Sequence, residues 1–240
     1  MSPSPADLLT QPFTDHSELF RAHAAAQPDK LAIADEDGSV SWAELDALVE
    51  RIAARLQAEG IGRGDAVAIV GLNSIAYGAV FLAAVRTGAA AAPLTTSASA
   101  DALTAMLKDS GARHLFADPV IQMEVPEDVQ RISLRDLEAW LPPAGARATP
   151  VEVHPEDPFN IIYSSGTTGT PKGIVQSHQM RWNYLARAGV YDFNAVTLLS
   201  TPLYSNTTLV SFLPCLGFGG SVVLMKKFDA LRFLELSERT

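Results

Sequence analysis

The sequence has almost none of the residue that would give it a covalent framework. Its 240 residues include one cysteine, Cys215, which excludes an intramolecular disulfide and a thiolate-rich metal site. Cys215 lies in an apolar run with Phe212, Leu213, Leu216 and Phe218 and reads as a small core residue. The N-terminus lacks the basic region and apolar block of a secretory signal. Long hydrophobic runs are missing too. The longest, Leu209 to Met225, is broken by Pro214, Gly217, Gly219 and Gly220, which excludes a membrane span. Positive charge is scarce: 18 Lys and Arg stand against 27 Asp and Glu, a net charge of −9. That balance argues against nucleic acid or an anionic membrane as a partner, and a cytoplasmic protein is expected. An acidic chain that holds a polyphosphate must do so locally, through a few well-placed donors.

What is present is material for a core. Hydrophobic residues make up 48% of the chain, enough to exclude disorder. Leu31 to Ala34 and Val40 to Trp42 flank Asp37-Gly38, a strong hairpin signal. Trp42 to Glu59 carries Leu45, Leu48, Val49, Ile52, Ala53 and Leu56 at helical spacing. The cluster Gly60-Ile61-Gly62-Arg63-Gly64 follows this helix, the reverse of a dinucleotide fingerprint, and reads as a cap and turn. Near-continuous apolar strands at Ala66–Val70, Ala89–Pro93 and His114–Ala117 then alternate with helices at Ala76–Arg86 and Ala100–Ser110. This rhythm predicts an α/β fold of parallel-sheet layers flanked by helices. The stretch 142–158 holds Pro142, Pro143, Pro150, Pro155 and Pro158 and reads as a connection. It would join an N-terminal α/β part, 1–141, to a second, 159–240. In the second part, strands at Phe159–Tyr163, Gly173–Gln176, Val196–Ser200 and Ser221–Met225 alternate with helices at Ser177–Ala188, near Leu209–Leu216, and at Ala230–Arg239.

The chemistry is concentrated between Tyr163 and Gly173, in Tyr163-Ser164-Ser165-Gly166-Thr167-Thr168-Gly169-Thr170-Pro171-Lys172-Gly173. Glycines free the backbone so that successive amide N–H groups can converge on an anion. Ser164, Ser165, Thr167 and Thr168 add hydroxyl donors, and Thr167 or Thr168 could also ligate a phosphate-bound magnesium. Lys172 adds a mobile positive charge. The loop is not a Walker A motif, which needs Gly-Lys-Ser/Thr where this chain has Pro171-Lys172-Gly173. Ser177-His178 invites a nucleophilic reading, but no Gly-x-Ser-x-Gly elbow exists, and Ser177 reads as a helix cap. Trp182 and Tyr184 read as packing residues.

The loop resembles the signature of the adenylate-forming superfamily, which includes acyl-CoA synthetases, peptide-synthetase adenylation domains and luciferases. That pattern is aromatic-Ser-Ser-Gly-Thr-Thr-Gly-x-Pro-Lys-Gly. Ser41-Trp42-Ala43-Glu44-Leu45, Gly64-Asp65-Ala66-Val67, Arg86-Thr87-Gly88-Ala89 to Pro93-Leu94, Thr201-Pro202-Leu203-Tyr204 and Gly219-Gly220-Ser221-Val222-Val223 resemble other family segments in order and spacing. The resemblance implies an N-terminal part of that fold, truncated. It also implies a ligase that joins a carboxylic acid to the α-phosphate of ATP, with release of pyrophosphate and transfer to coenzyme A. Ser164, Ser165, Gly166, Thr167, Thr168, Gly169 and Lys172 would then hold the phosphates, with magnesium at Thr167 or Thr168.

The chain also departs from the family. The downstream aromatic-Gly-x-Thr-Glu segment, the ribose aspartate and the C-terminal lysine are not in this sequence, so the chain alone is expected to be inactive. Many relatives carry an aromatic-His pair after Pro-Leu, where this chain has Tyr204-Ser205-Asn206. These three residues are candidates to border the acyl group, and Ser205 or Asn206 equally reads as a helix cap. Two alternatives stand beside the acid–thiol ligase. One is a peptide-synthetase adenylation domain, for which Asp229 is the nearest acid. The other is a non-catalytic module that keeps the loop. Apolar surface left uncovered would favour a homo-oligomer.

Overall fold

The computed structural model describes residues 3–164 and 172–238. In chain order the elements are α1 (Pro5–Leu9), α2 (His16–Ala26), β1 (Leu31–Ala34), β2 (Ser39–Ser41), α3 (Trp42–Ala58), β3 (Ala66–Val70), α4 (Ile75–Arg86) and β4 (Ala90–Pro93). Then follow α5 (Ala100–Ser110), β5 (His114–Ala117), β6 (Gln130–Ser133), α6 (Leu137–Trp140), β7 (Pro158–Ser164) and β8 (Lys172–Ser177). The last are α7 (His178–Ala186), β9 (Val196–Leu199), α8 (Asn206–Gly217), β10 (Ser221–Leu224) and α9 (Ala230–Ser237).

Two sheets form. The larger has the order β6-β5-β3-β4-β7-β8 and the smaller β2-β1-β10-β9. Pairing is parallel inside both, and an antiparallel hairpin closes one edge of each, β1–β2 and β7–β8. The sheets are therefore mixed, with parallel interiors as the strand–helix rhythm implies. Each sheet takes strands from both sides of 142–158. β1 pairs with β10, and β4 pairs with β7. Strand pairing thus crosses the connection at which the sequence divides.

Helix starts follow local chemistry. Ser41 caps α3 in a capping box: its side chain accepts from the Glu44 amide, and the Glu44 carboxylate accepts from the Ser41 amide. Along β3 the side chains alternate between two cores, as the period of a strand requires. Val67 and Ile69 join the large core, whereas Ala66, Ala68 and Val70 join the one beneath α5. Helix α4 is buried from Tyr77 to Arg86. A methyl on Gly78 would lie 3.4 Å from Ile33 of the small sheet and 3.5 Å from Phe212 of α8. A helix enclosed by other elements must be apolar on every side. The one cation it buries, Arg86, pairs with Asp46 at 2.7 Å and Glu50 at 3.0 Å on α3.

The proline-rich connection is held against α3 through its backbone. Arg51 donates to the Pro142 carbonyl, and Glu50 accepts from the Ala148 amide at 2.8 Å. Gln57 bonds the Thr149 carbonyl and amide at 2.9 and 2.8 Å.

Candidate functional site

Of the phosphate-loop candidates, the structure describes Ser164 and Lys172, at the facing ends of β7 and β8. Ser164 ends β7, Lys172 begins β8, and the two are cross-strand partners. Lys172 is exposed. Ser165, Gly166, Thr167, Thr168 and Gly169 lie outside the described residues. Because β7 runs parallel to β4, it ends at the carboxyl edge of the large sheet. Open α/β sheets bind their ligands along that edge.

The stem below the tip is tightly built. Tyr163 and Gly173 are cross-strand partners. A methyl on Gly173 would lie 2.8 Å from Ile161 Cγ2, 3.1 Å from Asp109 Oδ2 and 3.3 Å from the Tyr163 ring. Glycine is therefore required for close approach, not for an unusual φ. The Tyr163 hydroxyl stands 2.8 Å from Asp109 Oδ2 and 3.0 Å from the Met106 carbonyl, both on α5. Burial, reinforced by the Asp109 hydrogen bond, pushes the Tyr163 phenol far above its ordinary range. Asp109 was not foreseen from the sequence. Its position in the last turn of a helix, where an acid opposes the macrodipole, is the one signal it leaves there.

On the other side of β7, Asn160 is fully buried and accepts from Arg181 Nε at 2.7 Å. Burial lowers the Arg181 guanidinium to about 10, so it stays cationic at neutral pH. His178 begins α7, is fully buried between Phe159 and His16, and is pushed down to about 4 by burial. Ser177 caps the helix by accepting from the Met180 amide. Neither residue has a nucleophile's exposure and partner, and both are structural. Trp182 is buried as a packing residue, but Tyr184 is 57% exposed, which corrects the packing role read for it. It stands on the outer side of α7, more than half open to solvent.

The acyl candidates come from the small sheet. Tyr204 and Ser205 are half-buried and Asn206 is exposed, in the turn that joins β9 to α8. Ser205 is the N-cap residue of α8 by position, yet its side chain makes no capping hydrogen bond. One contact brings this turn toward the hairpin, and a second side chain ties the small sheet to the end of β3. Gln176 of β8 donates to Asn206 Oδ1 at 3.4 Å. Asn73, 2% exposed just beyond β3, donates to the carbonyls of Thr201 at 2.9 Å and Met225 at 3.1 Å. It also accepts from the Leu203 amide at 2.8 Å. One side chain from the large sheet thus fixes the ends of β9 and β10 in the small one. Asn73 went unrecognised because its partners lie 128 to 152 residues away.

A crevice of about 350 Å³ opens beside Asn73, lined also by Asp35, Asp118, Arg135 and Lys226. Its acids are occupied: Asp35 accepts from the Ile75 amide at 2.8 Å and Asp118 from the Leu72 amide at 2.6 Å. Thr167 and Thr168, the magnesium candidates, lie outside the described residues. Among the described residues no group of three or more His, Cys, Asp or Glu is placed to hold a metal ion. Among them, too, no helix is long and apolar enough to cross a membrane.

Comparison with known proteins sets this geometry in context. A family model described as AMP-binding enzyme matches residues 20–240. The indoleacetate–CoA ligase of Aromatoleum aromaticum is 32% identical over 238 residues, covering 89% of this chain and 46% of the relative. A dimodular nonribosomal peptide synthase of Bacillus subtilis is 33% identical over 171 residues, covering 68% of this chain and 7% of the relative. Among solved structures, the inhibitor-bound N-terminal domain of FACL13 from Mycobacterium tuberculosis superposes with a TM-score of 0.83 at 28% identity. That match covers 95% of this chain and 62% of the other. The chain spans about half the length of the curated CoA ligase it matches.

Proposed function

Because the chain belongs to the AMP-binding enzyme family, we propose that it supplies the phosphate-gripping part of an ATP-dependent acid–thiol ligase. In this reading a carboxylate attacks the α-phosphate of ATP and pyrophosphate leaves; the coenzyme A thiol then attacks the acyl carbon of the adenylate, forming the thioester as AMP leaves. The observation that carries it is the hairpin stem. Ser164 and Lys172 face each other at the carboxyl edge of a parallel sheet, with a close-packed glycine directly below them. Ser164 to Gly169 would offer hydroxyls and backbone amides to the β- and γ-phosphates. Lys172 would neutralise charge that builds on the departing pyrophosphate. Magnesium bound to those phosphates would meet the hydroxyls of Thr167 and Thr168 and add further neutralisation.

Tyr204, Ser205 and Asn206 would border the acyl group. The hydrogen bond between Gln176 and Asn206 supports this, since it joins their turn to the strand that carries Lys172. A peptide-synthetase reading needs an acid for the substrate amino group. Asp229 is engaged as the cap of α9, accepting from the Arg232 amide at 2.8 Å, which favours an acid without that group.

The test is binding of inorganic pyrophosphate with magnesium to the 240-residue chain by calorimetry. Saturable binding is expected, weakened about tenfold by Lys172→Ala, the scale of one charge-assisted contact. No binding, or equal binding by the variant, would sink this reading. For the whole ligase, ATP–pyrophosphate exchange across a panel of carboxylic acids identifies the substrate.

A further inference from the structure

A set of polar side chains with no part in the proposed chemistry gathers where α2, β7 and α7 meet. The bulge between Pro158 and Asn160 prepares the place. A strand sends successive side chains to opposite faces, and an extra residue breaks that alternation. Ile161 and Tyr163 keep to the core beneath α5, while Phe159 turns with Ile162 into the large core. The Phe159 ring thereby lies 4.7 Å from the His16 ring of α2 and 4.9 Å from the His178 ring of α7, centre to centre. His178 and Arg181 share a face of α7, three residues apart. Arg181 Nε donates to Asn160 Oδ1 at 2.7 Å. None of His16, Asn160, His178 and Arg181 is more than 1% exposed.

Their hydrogen-bonding capacities do not balance. Among the described residues, Arg181 Nη1 and Nη2, Asn160 Nδ2 and both ring nitrogens of His16 and His178 have no hydrogen-bond partner. Each guanidinium nitrogen and the amide nitrogen carry two N–H groups, whereas a neutral imidazole offers one N–H and one acceptor. Donors therefore far outnumber acceptors. The charges do not balance either. Arg86, the other deeply buried cation, has the carboxylates of Asp46 and Glu50. No carboxylate among the described residues stands within ion-pair distance of Arg181. A fold tolerates a buried charge when that charge is paired.

We propose that this cluster binds a small monovalent anion of chloride size, held by the Arg181 terminal nitrogens and Asn160 Nδ2, with N–H groups of His16 and His178 beside them. The ligand is an anion because the unused groups are donors and one of them is a cation. It is monovalent because burial keeps both imidazoles neutral at pH 7, which leaves the single charge of Arg181 to balance. It is small because the groups that meet it are closed off from solvent. An anion held there ties α2 and α7 to β7.

The test is the thermal midpoint of the chain over a hundredfold range of chloride, with gluconate keeping the ionic strength constant. The midpoint is expected to rise by roughly 5 °C across that range, the scale of one bound ion on a chain of this size. Asn160→Asp sets a carboxylate against the guanidinium and supplies the missing charge, so the dependence should vanish. Arg181→Met removes the cation and should abolish it as well. Asn160→Asp keeps the shape of the side chain and carries the comparison alone should Arg181→Met not fold. In crystals grown with bromide in place of chloride, an anomalous peak is expected within hydrogen-bonding reach of Arg181 Nη1 or Nη2. A midpoint indifferent to chloride, a dependence retained by Asn160→Asp, or water alone at the cluster would each overturn the proposal. A bromide peak with a flat midpoint means an adventitious ion only and overturns it too. None of these measurements involves pyrophosphate, so their outcome is separate from that of the phosphate-binding reading.

Discussion

His178 shows how burial redirects a residue that sequence marks as reactive. Its ring lies between Phe159 and His16 with no exposure, and burial lowers it from the ordinary 6.5 to about 4. His16 is lowered in the same direction by burial and by its neighbours His178 and Arg181. The folded state therefore favours the neutral rings. Their contribution is complete above pH 6.5 and is lost as pH falls toward 4, on the order of 3 kcal/mol at most for His178. Asp15 works the other way. Burial raises it from 3.8 to about 6, so its contribution grows as pH falls through that range. The thermal midpoint of Asp15→Asn, free of this opposing effect, is expected to fall between pH 6.5 and 4. Adding His178→Gln should flatten that fall, and an unchanged slope in calorimetry at four pH values would show that His178 is not buried as described. The same scale explains what sequence missed. Ser164 and Lys172 could be named as candidates because a fixed pattern of residue types includes them. Asn73 and Asp109 were not, since a polar residue near a helix end has no distinctive neighbours in sequence.

Among the elements, those with an apolar run or a visible period were readable, and α1, α6 and β6 were not. α3, β3 and α4 carry enough residues to display a period, and Ser177 caps its helix as the sequence suggests. α1 has five residues and α6 four, too few for a helical pattern. β6 buries Ile132 alone, so it shows no strand alternation. The connection 142–158 shows its prolines in the sequence, but its attachment to α3 was hidden. Glu50, Arg51 and Gln57 of α3 bind its backbone at Pro142, Ala148 and Thr149. Arg147 is an exposed tryptic site inside this stretch. Cleavage there should be slow in the parent chain and on the order of thirtyfold faster in Arg51→Ala/Gln57→Ala, followed by mass spectrometry. Equal rates would mean that α3 does not hold the segment. The acceleration expected is that of losing roughly two net hydrogen bonds, about 1 kcal/mol each.

The whole molecule is tied together by pairings that sequence order conceals. A fragment ending at residue 141 keeps β1 to β6 but loses β10 from beside β1 and β7 from beside β4. It is expected to show no cooperative thermal transition, whereas a sharp transition would mean that residues 1–141 fold alone. The sequence by itself determined the family and the α/β rhythm, and it singled out the run from Tyr163 to Gly173 on which the proposed function rests. Those rest on local periodicity and on a contiguous run of residue types. Tertiary structure decided which strands pair, which turn meets the loop strand, and what holds the loop stem. Those are matters of distance in space between residues far apart in the chain. Asn73 bonding to Thr201 and Met225, and Asp109 bonding to Tyr163, become visible when β3, β4 and β7 lie side by side and α5 packs beneath them. The physical reason is that a hydrogen bond is selected by the geometry of its two groups, and the fold supplies that geometry.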